Sequence, residues 1–250
     1  MKPTFRYTHN SVQILHSNPK RVEEYVLKRK DKVEELYLEL NGIIDIAFVT
    51  QCPFLITLNF SSNHVKELEF SRNMLWLTHL SFERNYVEDL SPISKFKNLV
   101  ILKCGWNQID SLQPICDLRN LIILGCSNNN IGSLEPLKKL KKMSILYTDG
   151  NRLYKKKCPF VSLFLLKSLS TVIVDVNDLG LSVKGFPKNV TSCAVKHDEN
   201  NMRFLEKREI CEIHERSGTS KFQIIKVEKE LFSWISWINL FDLNKLYDFF

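Results

Sequence analysis

Leu99-Val100-Ile101-Leu102-Lys103-Cys104-Gly105-Trp106-Asn107-Gln108-Ile109 is the stretch on which the reading of the whole chain turns. Apolar residues hold its first, fourth and eleventh places, a cysteine its sixth and an asparagine its ninth. Steps of 22 residues in either direction meet the same spacing. The first place holds Val33, Leu55, Leu77, Leu99, Leu121 and Met143, and the fourth holds Leu36, Leu58, Leu80, Leu102, Leu124 and Leu146. At the sixth stand Leu38, Phe60, Phe82, Cys104, Cys126 and Thr148, and at the ninth Asn41, Asn63, Asn85, Asn107, Asn129 and Asn151. Ile43, Val65, Val87, Ile109, Ile131 and Leu153 close the motif at the eleventh place. Six in-register units without an insertion do not arise by accident.

The alternation at the start of each unit predicts a short strand with one face inward. The following asparagine carries both a donor pair and an acceptor, so it can bond backbone groups of its own turn and the next and form a buried ladder. In the second half of each unit, Leu68, Leu90, Leu112 and Leu134, then Ile93, Ile115 and Leu137, then Phe96, Leu118 and Leu140 recur at spacings of three, which predicts a short helical or 3₁₀ turn packed on the strand. Pro92, Pro114 and Pro136 recur where such a turn begins. Stacked units of this kind make a curved solenoid with a parallel sheet as its inner wall.

The pattern L-x-x-L-x-L-x-x-N-x-I resembles the leucine-rich repeat, in particular the 22-residue subclass found in a nuclear regulatory subunit of protein phosphatase one. The resemblance covers residues 33–179 and implies a right-handed solenoid of α/β class with helical caps. It also implies a concave face that holds a protein, in that regulator a phosphatase held by acidic and aromatic residues. Here the wall mixes Arg84, Lys103 and Arg152 with few acids, so no phosphatase contact carries over residue by residue.

Ser17-Asn18-Pro19 is a helix start, and Val22, Tyr25, Val26 and Arg29 follow on one stripe, so residues 18–32 read as an N-terminal capping helix at the end of a basic arm spanning 1–32. At the other end, the basic and aromatic run Tyr154 to Phe164 leads into Leu169 to Asp175, four residues late for the repeat. That resembles the terminal cap of the subclass, and it puts the end of the solenoid, 33–180, near Gly180. Residues 181–250 form a small α+β extension in this reading: a hairpin over 208–228 around Ser217-Gly218, and an aromatic helix from Glu228 to Phe250 with Leu231, Trp234, Ile235, Ile238 and Phe241 on one stripe. That helix is read as packing on the solenoid flank or docking on a partner.

Seven cysteines with no CxxC pair build neither a disulfide framework nor a zinc site. No apolar run approaches the roughly 18 residues of a membrane span, and Met1 to Asn10 does not read as a secretory leader. A soluble protein of the cytoplasm or nucleus is expected. Lysine and arginine outnumber acids by eight to three over residues 1–32, whereas the repeat array over 33–154 is balanced at 12 to 13. Lys20, Arg21, Lys28, Arg29, Lys30 and Lys32, with Lys155, Lys156 and Lys157 further on, are candidate phosphate contacts on RNA.

No phosphate-binding loop, dinucleotide fingerprint, zinc-protease motif or nucleophile elbow is present, the six histidines are scattered, and no nucleophile has a base beside it. His79 and Glu83 share a strand face but read as ordinary polar wall. Cys104 and Cys126 read as small hydrophobes. Neither enzyme activity, cofactor, metal nor small-molecule substrate is expected. Candidate binding residues are those that point away from the core or lie just past the strands: Tyr37, His79, Glu83, Arg84, Tyr86, Lys103, Trp106, Tyr147, Asp149 and Arg152. Trp106, flanked by Arg84 and Tyr86 and next to small Gly105, Gly125 and Ser127, reads either as an interface hot spot with room beside it or as a ring folded over its neighbours and covered by the C-terminal segment. The expected function is a non-catalytic scaffold gripping a protein, or alternatively a ribosome- or ribonucleoprotein-associated factor docking through its basic ends.

Overall fold

The alternating start of each repeat folds as a three-residue strand. The computed structural model describes residues 4–8, 10–71, 74–153, 161–175, 192–198 and 201–203. Within them the six units supply β3 (Glu35–Tyr37), β4 (Thr57–Asn59), β5 (His79–Ser81), β6 (Ile101–Lys103), β7 (Ile123–Gly125) and β8 (Ile145–Tyr147). Adjacent strands pair in parallel with a strict 22-residue register, so Leu36, Leu58, Leu80, Leu102, Leu124 and Leu146 stand side by side facing the core.

The second layer consists of 3₁₀ turns, among them Ser91–Ile93, Gln113–Ile115 and Glu135–Lys139, each opened by the recurring proline and each burying its Ile or Leu. Three residues per turn bring the apolar side chains at spacings of three onto one face. The unit 55–76 differs. Phe70 and Ser71 take the places of Pro and Ile, its described residues hold no 3₁₀ turn, and Leu75 and Trp76 are left 62% exposed.

The asparagines are inside, as the period requires. Asn107 Nδ2 donates to the carbonyls of Phe82 (3.0 Å), one coil back, and of Cys104 (3.1 Å), in its own turn. Its Oδ1 accepts from Val87 N at 2.9 Å. The same set recurs at Asn85 and Asn129, and Asn151 accepts from Ile131 N and donates to Cys126 O, both at 3.0 Å. Each carboxamide therefore closes its own turn and ties it to the preceding coil.

The N-terminal end holds more structure than an arm with a cap. β1 (Thr4–Thr8) and β2 (Ser11–Leu15) form an antiparallel hairpin, and β2 pairs in parallel with β3. Val12 lies opposite Leu36, Val12 and Ile14 join the core, and Ser17 N donates to Asn41 Oδ1 at 2.7 Å. This is a further rung of the ladder, 24 instead of 22 residues before the next, with serine at the place of asparagine. The helix α1 (Pro19–Leu27) starts where expected, with Asn18 accepting from Lys20 N, but ends before 32. After Leu27, which packs against the core, no apolar residue follows until Val33, and Lys28, Arg29, Lys30 and Lys32 crowd like charge into the next turn.

At the C-terminal side the described residues carry a 3₁₀ turn Val161–Leu165 and β9 (Thr171–Asp175), parallel to β8. The sheet runs on beyond Gly180, through β10 (Ser192–Asp198), parallel to β9, to β11 (Asn201–Arg203), antiparallel to β10. The boundary near 180 is thus bridged by sheet pairing. Lys155–Lys157, the hairpin of 208–228 and the helix of 228–250 lie outside the described residues.

Candidate functional site

One column of the solenoid repeats its backbone but not its side chains. The residue before each ladder asparagine is left-handed: Leu40 (φ 59°), Ser62 (57°), Arg84 (56°), Trp106 (58°), Asn128 (54°) and Gly150 (68°). This twist turns the chain out of the strand and swings the next carboxamide inward. Glycine and asparagine accept it readily, whereas other side chains pay about 1–2 kcal/mol. Trp106 and Arg84 are therefore held at a cost, and they meet: the Arg84 guanidinium lies over the Trp106 ring, 4.8 Å from its centroid. Beside them Tyr86, 43% exposed, stacks on His64 at 6.0 Å. His64 is absent from the candidates read from sequence, although it holds the same repeat place as Tyr86 one unit earlier. Arg152 lies further along this column and is exposed.

The face of the sheet turned from the core divides into two blocks. The ladder runs past the strand ends through Leu38 N to Asn59 O (2.7 Å) and Phe60 N to Ser81 O (3.0 Å), so three side chains per unit form the wall. Over β3, β4 and β5 these are Glu35, Tyr37 and Glu39; Thr57, Asn59 and Ser61; His79, Ser81 and Glu83. Over β6, β7 and β8 they are Ile101, Lys103 and Gly105; Ile123, Gly125 and Ser127; Ile145, Tyr147 and Asp149. The first block is wholly polar apart from the Tyr37 ring. The second has a row of three isoleucines, of which Ile101 is buried, beside two glycines and the polar Lys103, Ser127, Tyr147 and Asp149.

Hydrogen bonds tie much of the polar wall together. Asn59 Nδ2 donates to Glu39 Oε1 at 2.6 Å, the Ser61 and Ser81 hydroxyls lie 2.9 Å apart, and the Ser127 hydroxyl donates to Asp149 Oδ1. The room expected beside Trp106 is largely taken up. A Cβ on Gly105 stands 3.3 Å from Glu83 Oε1, and one on Gly125 stands 3.7 Å from Lys103 Cγ, so both long side chains lean over the glycines.

Glu83 is the electrostatic centre of this part of the wall. Burial pushes its carboxyl above the usual carboxylate range against the pull of Lys103 and Arg84, and burial likewise lowers Lys103 against the pull of Glu83. Tyr147 is raised by burial and by Glu83, which places the two within reach of each other's field across the glycines. His79 is lowered by burial and by Lys103, and its Nδ1 faces Thr78 Oγ1 at 2.7 Å instead of Glu83. Tyr37 is buried and raised by burial and by Glu35 and Glu39. The wall thus brings His79, Glu83, Lys103 and Tyr147 together, and the column past the strands brings Arg84 to Trp106. Tyr37 and Arg152 stand toward opposite ends of the array.

The basic candidates near the N-terminus lie on and after α1. Lys20, Arg21, Lys28 and Lys32 are exposed. Arg29 stacks on Tyr25 at 3.7 Å, and Lys30 Nζ lies 3.4 Å from Gln51 Oε1. Cys104 and Cys126 are buried and free, with burial pushing Cys126 up to about 12 and Cys104 well above its ordinary value, so both sulfurs are protonated core atoms.

Neither a protein-family model nor a curated protein matches the sequence. Among solved structures, internalin C2 of Listeria monocytogenes matches with a TM-score of 0.59 at 19% identity, over 66% of this chain and 80% of that one. A leucine-rich repeat protein of Leptospira interrogans matches with a TM-score of 0.57 at 22% identity, over 84% of this chain and 46% of that one. At such identities the likeness is one of fold. The chain is a leucine-rich repeat solenoid.

Proposed function

We propose that this solenoid is a non-catalytic scaffold that grips a protein partner along the concave side of its sheet, with Arg84, Tyr86 and Trp106 as the anchor. The observation that supports it most is the left-handed Trp106. A bulky side chain at a position that Asn128 and Gly150 fill more cheaply costs stability, and strain of this kind gathers where a side chain is kept for binding. Trp and Arg are also the residue types that dominate interface energetics. Regulation of a phosphatase-like enzyme, implied by the resemblance of the repeat, is a narrower form of this reading.

The test is Trp106→Asn, which takes the residue found one unit later. Partner capture from native lysate should fall at least tenfold while the urea midpoint holds or rises. Capture that survives this change, but disappears when Lys28, Arg29, Lys30 and Lys32 are neutralised, overturns the reading. The exposed cations of α1 and the turn after it support that second reading, attachment to a ribonucleoprotein. Nuclease and added salt separate the two, because phosphate contacts weaken steeply with ionic strength.

A further inference from the structure

The flank that follows the C-terminal edge of the sheet turns alternate side chains outward. Leu40, Gly42 and Ile44 alternate there with the buried Asn41 and Ile43. The same places hold Ser62, His64 and Lys66, then Arg84, Tyr86 and Glu88, then Trp106, Gln108 and Asp110. Backbone bonds keep these coils in step: His64 N donates to Ile43 O (2.7 Å), Tyr86 N to Val65 O and Gln108 N to Val87 O (both 2.9 Å). The middle places form a strip. A Cβ on Gly42 stands 4.0 Å from His64 Nδ1, so the imidazole lies against that glycine, and it stacks on Tyr86 in the next coil. Leu40 and Ile44 border the strip at its first coil, and Ile44, 71% exposed, is the most exposed large apolar side chain among the described residues.

Charge beside the strip is mostly negative. Asp45, Glu67, Glu69, Glu88, Asp89 and Asp110 line the same flank, all exposed, against Lys66 and Arg84. Among the described residues none of the six is ion-paired; the pairs that form lie further along the array, at Asp117 and Glu135. The balanced charge of the repeats is thus split between two flanks, with acids after the sheet and exposed bases such as Lys97, Arg119, Lys141 and Lys142 before it.

We propose that the acidic flank docks a basic amphipathic helix of another protein, laid along the solenoid axis. Its apolar stripe covers Leu40, Ile44, His64 and Tyr86, and its lysines and arginines lie over Glu67, Glu88 and Asp110. A helix advances about 5.4 Å per turn and the coils about 4.8 Å per step, so side chains at spacings of three and four meet successive coils over about three turns. The exposed strip supplies apolar area to bury, and the unpaired carboxylates select the sign of the partner. Neither α1 nor the stretch 228–250 of this chain fits. α1 keeps its apolar stripe, Val22 and Val26, in its own core, and residues 228–250 carry four acids to two bases. The inference rests on the protein-docking reading above, shares Tyr86 with its anchor and adds the chemistry of the partner.

A display library of helical segments about 14 residues long, panned on the full chain, tests it. Selected segments should carry lysine or arginine in excess, with Leu, Ile, Phe or Trp at spacings of three and four. In the triple variant Glu67→Gln, Glu88→Gln, Asp110→Asn their binding should weaken about tenfold at low salt, a difference that closes as salt rises. Ile44→Ser should weaken it about tenfold at every salt concentration. All four side chains are exposed, so both variants should keep the wild-type urea midpoint. Selection of acidic or uncharged segments, binding unmoved in either variant, or a library that yields nothing overturns the inference. So does a dimer that Ile44→Ser dissolves, which would seat a second copy on the flank. Trp106→Asn separates the two readings. Lysate capture lost in Trp106→Asn but kept in both flank variants leaves the docking reading standing and removes the helix site. Segment binding lost in the flank variants, with capture intact in Trp106→Asn, keeps the helix site and removes the Trp106 anchor.

Discussion

The asparagine ladder and the wall above it are built on the same six turns, yet one repeats and the other does not. In the ladder a single set of bonds recurs: Oδ1 accepts from an amide 20 residues back at Asn63, Asn85, Asn107, Asn129 and Asn151, and Nδ2 donates to carbonyls 25 and three residues back. In the wall the corresponding residues change from Glu35 to Ile145 and from Tyr37 to Gly125. Buried backbone groups admit few solutions, so the ladder is uniform; a solvent-facing side chain is limited only by its neighbours, so the wall is where recognition has freedom to differ. The left-handed column lies between them, uniform in backbone and varied in side chain.

The sharpest way to break this contrast is to attack the ladder. Asn107→Ala strands Val87 N–H and removes the donor from the carbonyls of Phe82, Cys104 and Gly105. The expected loss is roughly 2–4 kcal/mol, read from the urea midpoint at unchanged m-value. A loss below 1 kcal/mol would mean that water replaces the carboxamide and that the ladder is no more demanding than the wall. Next in size is Gly150→Ala, in the left-handed column. The new Cβ overlaps Asn128 Oδ1 and has to hold a φ of 68°, so a loss of about 2 kcal/mol is expected on the same assay.

The same column yields a change of opposite sign. Leu40 is left-handed with its side chain 49% exposed. Leu40→Asn should raise stability by up to about 1 kcal/mol, since asparagine tolerates this backbone. Two substitutions at equivalent places that move the urea midpoint in opposite directions would fix the backbone, and not the side-chain contact, as what the fold demands there. If Leu40→Asn destabilises instead, that side chain belongs functionally to the core despite its exposure.

The ladder was legible in the sequence because its physics allows one residue type at one spacing. Asn41 to Asn151 and the leucines between them declare strand, turn and stacking at once. The rung formed by Val12, Ile14 and Ser17 was not, since its spacing is 24 and serine, contributing its backbone amide to Asn41, stands in for asparagine. Wall orientation was legible too, following from alternation alone. What side chains do on that wall was not: Glu83 leaning over Gly105, Lys103 over Gly125 and His64 stacking on Tyr86 depend on rotamers, which carry no period.

The smallest expected effect probes the polar block of the wall through pH. Burial and Lys103 lower His79 from 6.5, so in the fold the ring stays neutral where the unfolded chain protonates it. Its contribution to stability is complete above 6.5 and is lost as pH falls through 6.5 toward the depressed folded value. The carboxyls of Glu35, Glu39 and Glu83 act with the opposite sign: raised from 4.5 by burial, they favour the fold most below 4.5 and cost stability as pH rises through that value. Acidification from pH 7 to 5 therefore brings two opposed changes, and their sum alone identifies neither. The stability difference between wild type and His79→Gln isolates the imidazole, and it should move against wild type over that interval. Tyr147, raised further above 10, is silent there, which confines the response to the polar block. A difference that stays flat from pH 7 to 5 would show that His79 is solvated in the fold and that burial does not hold its ring neutral.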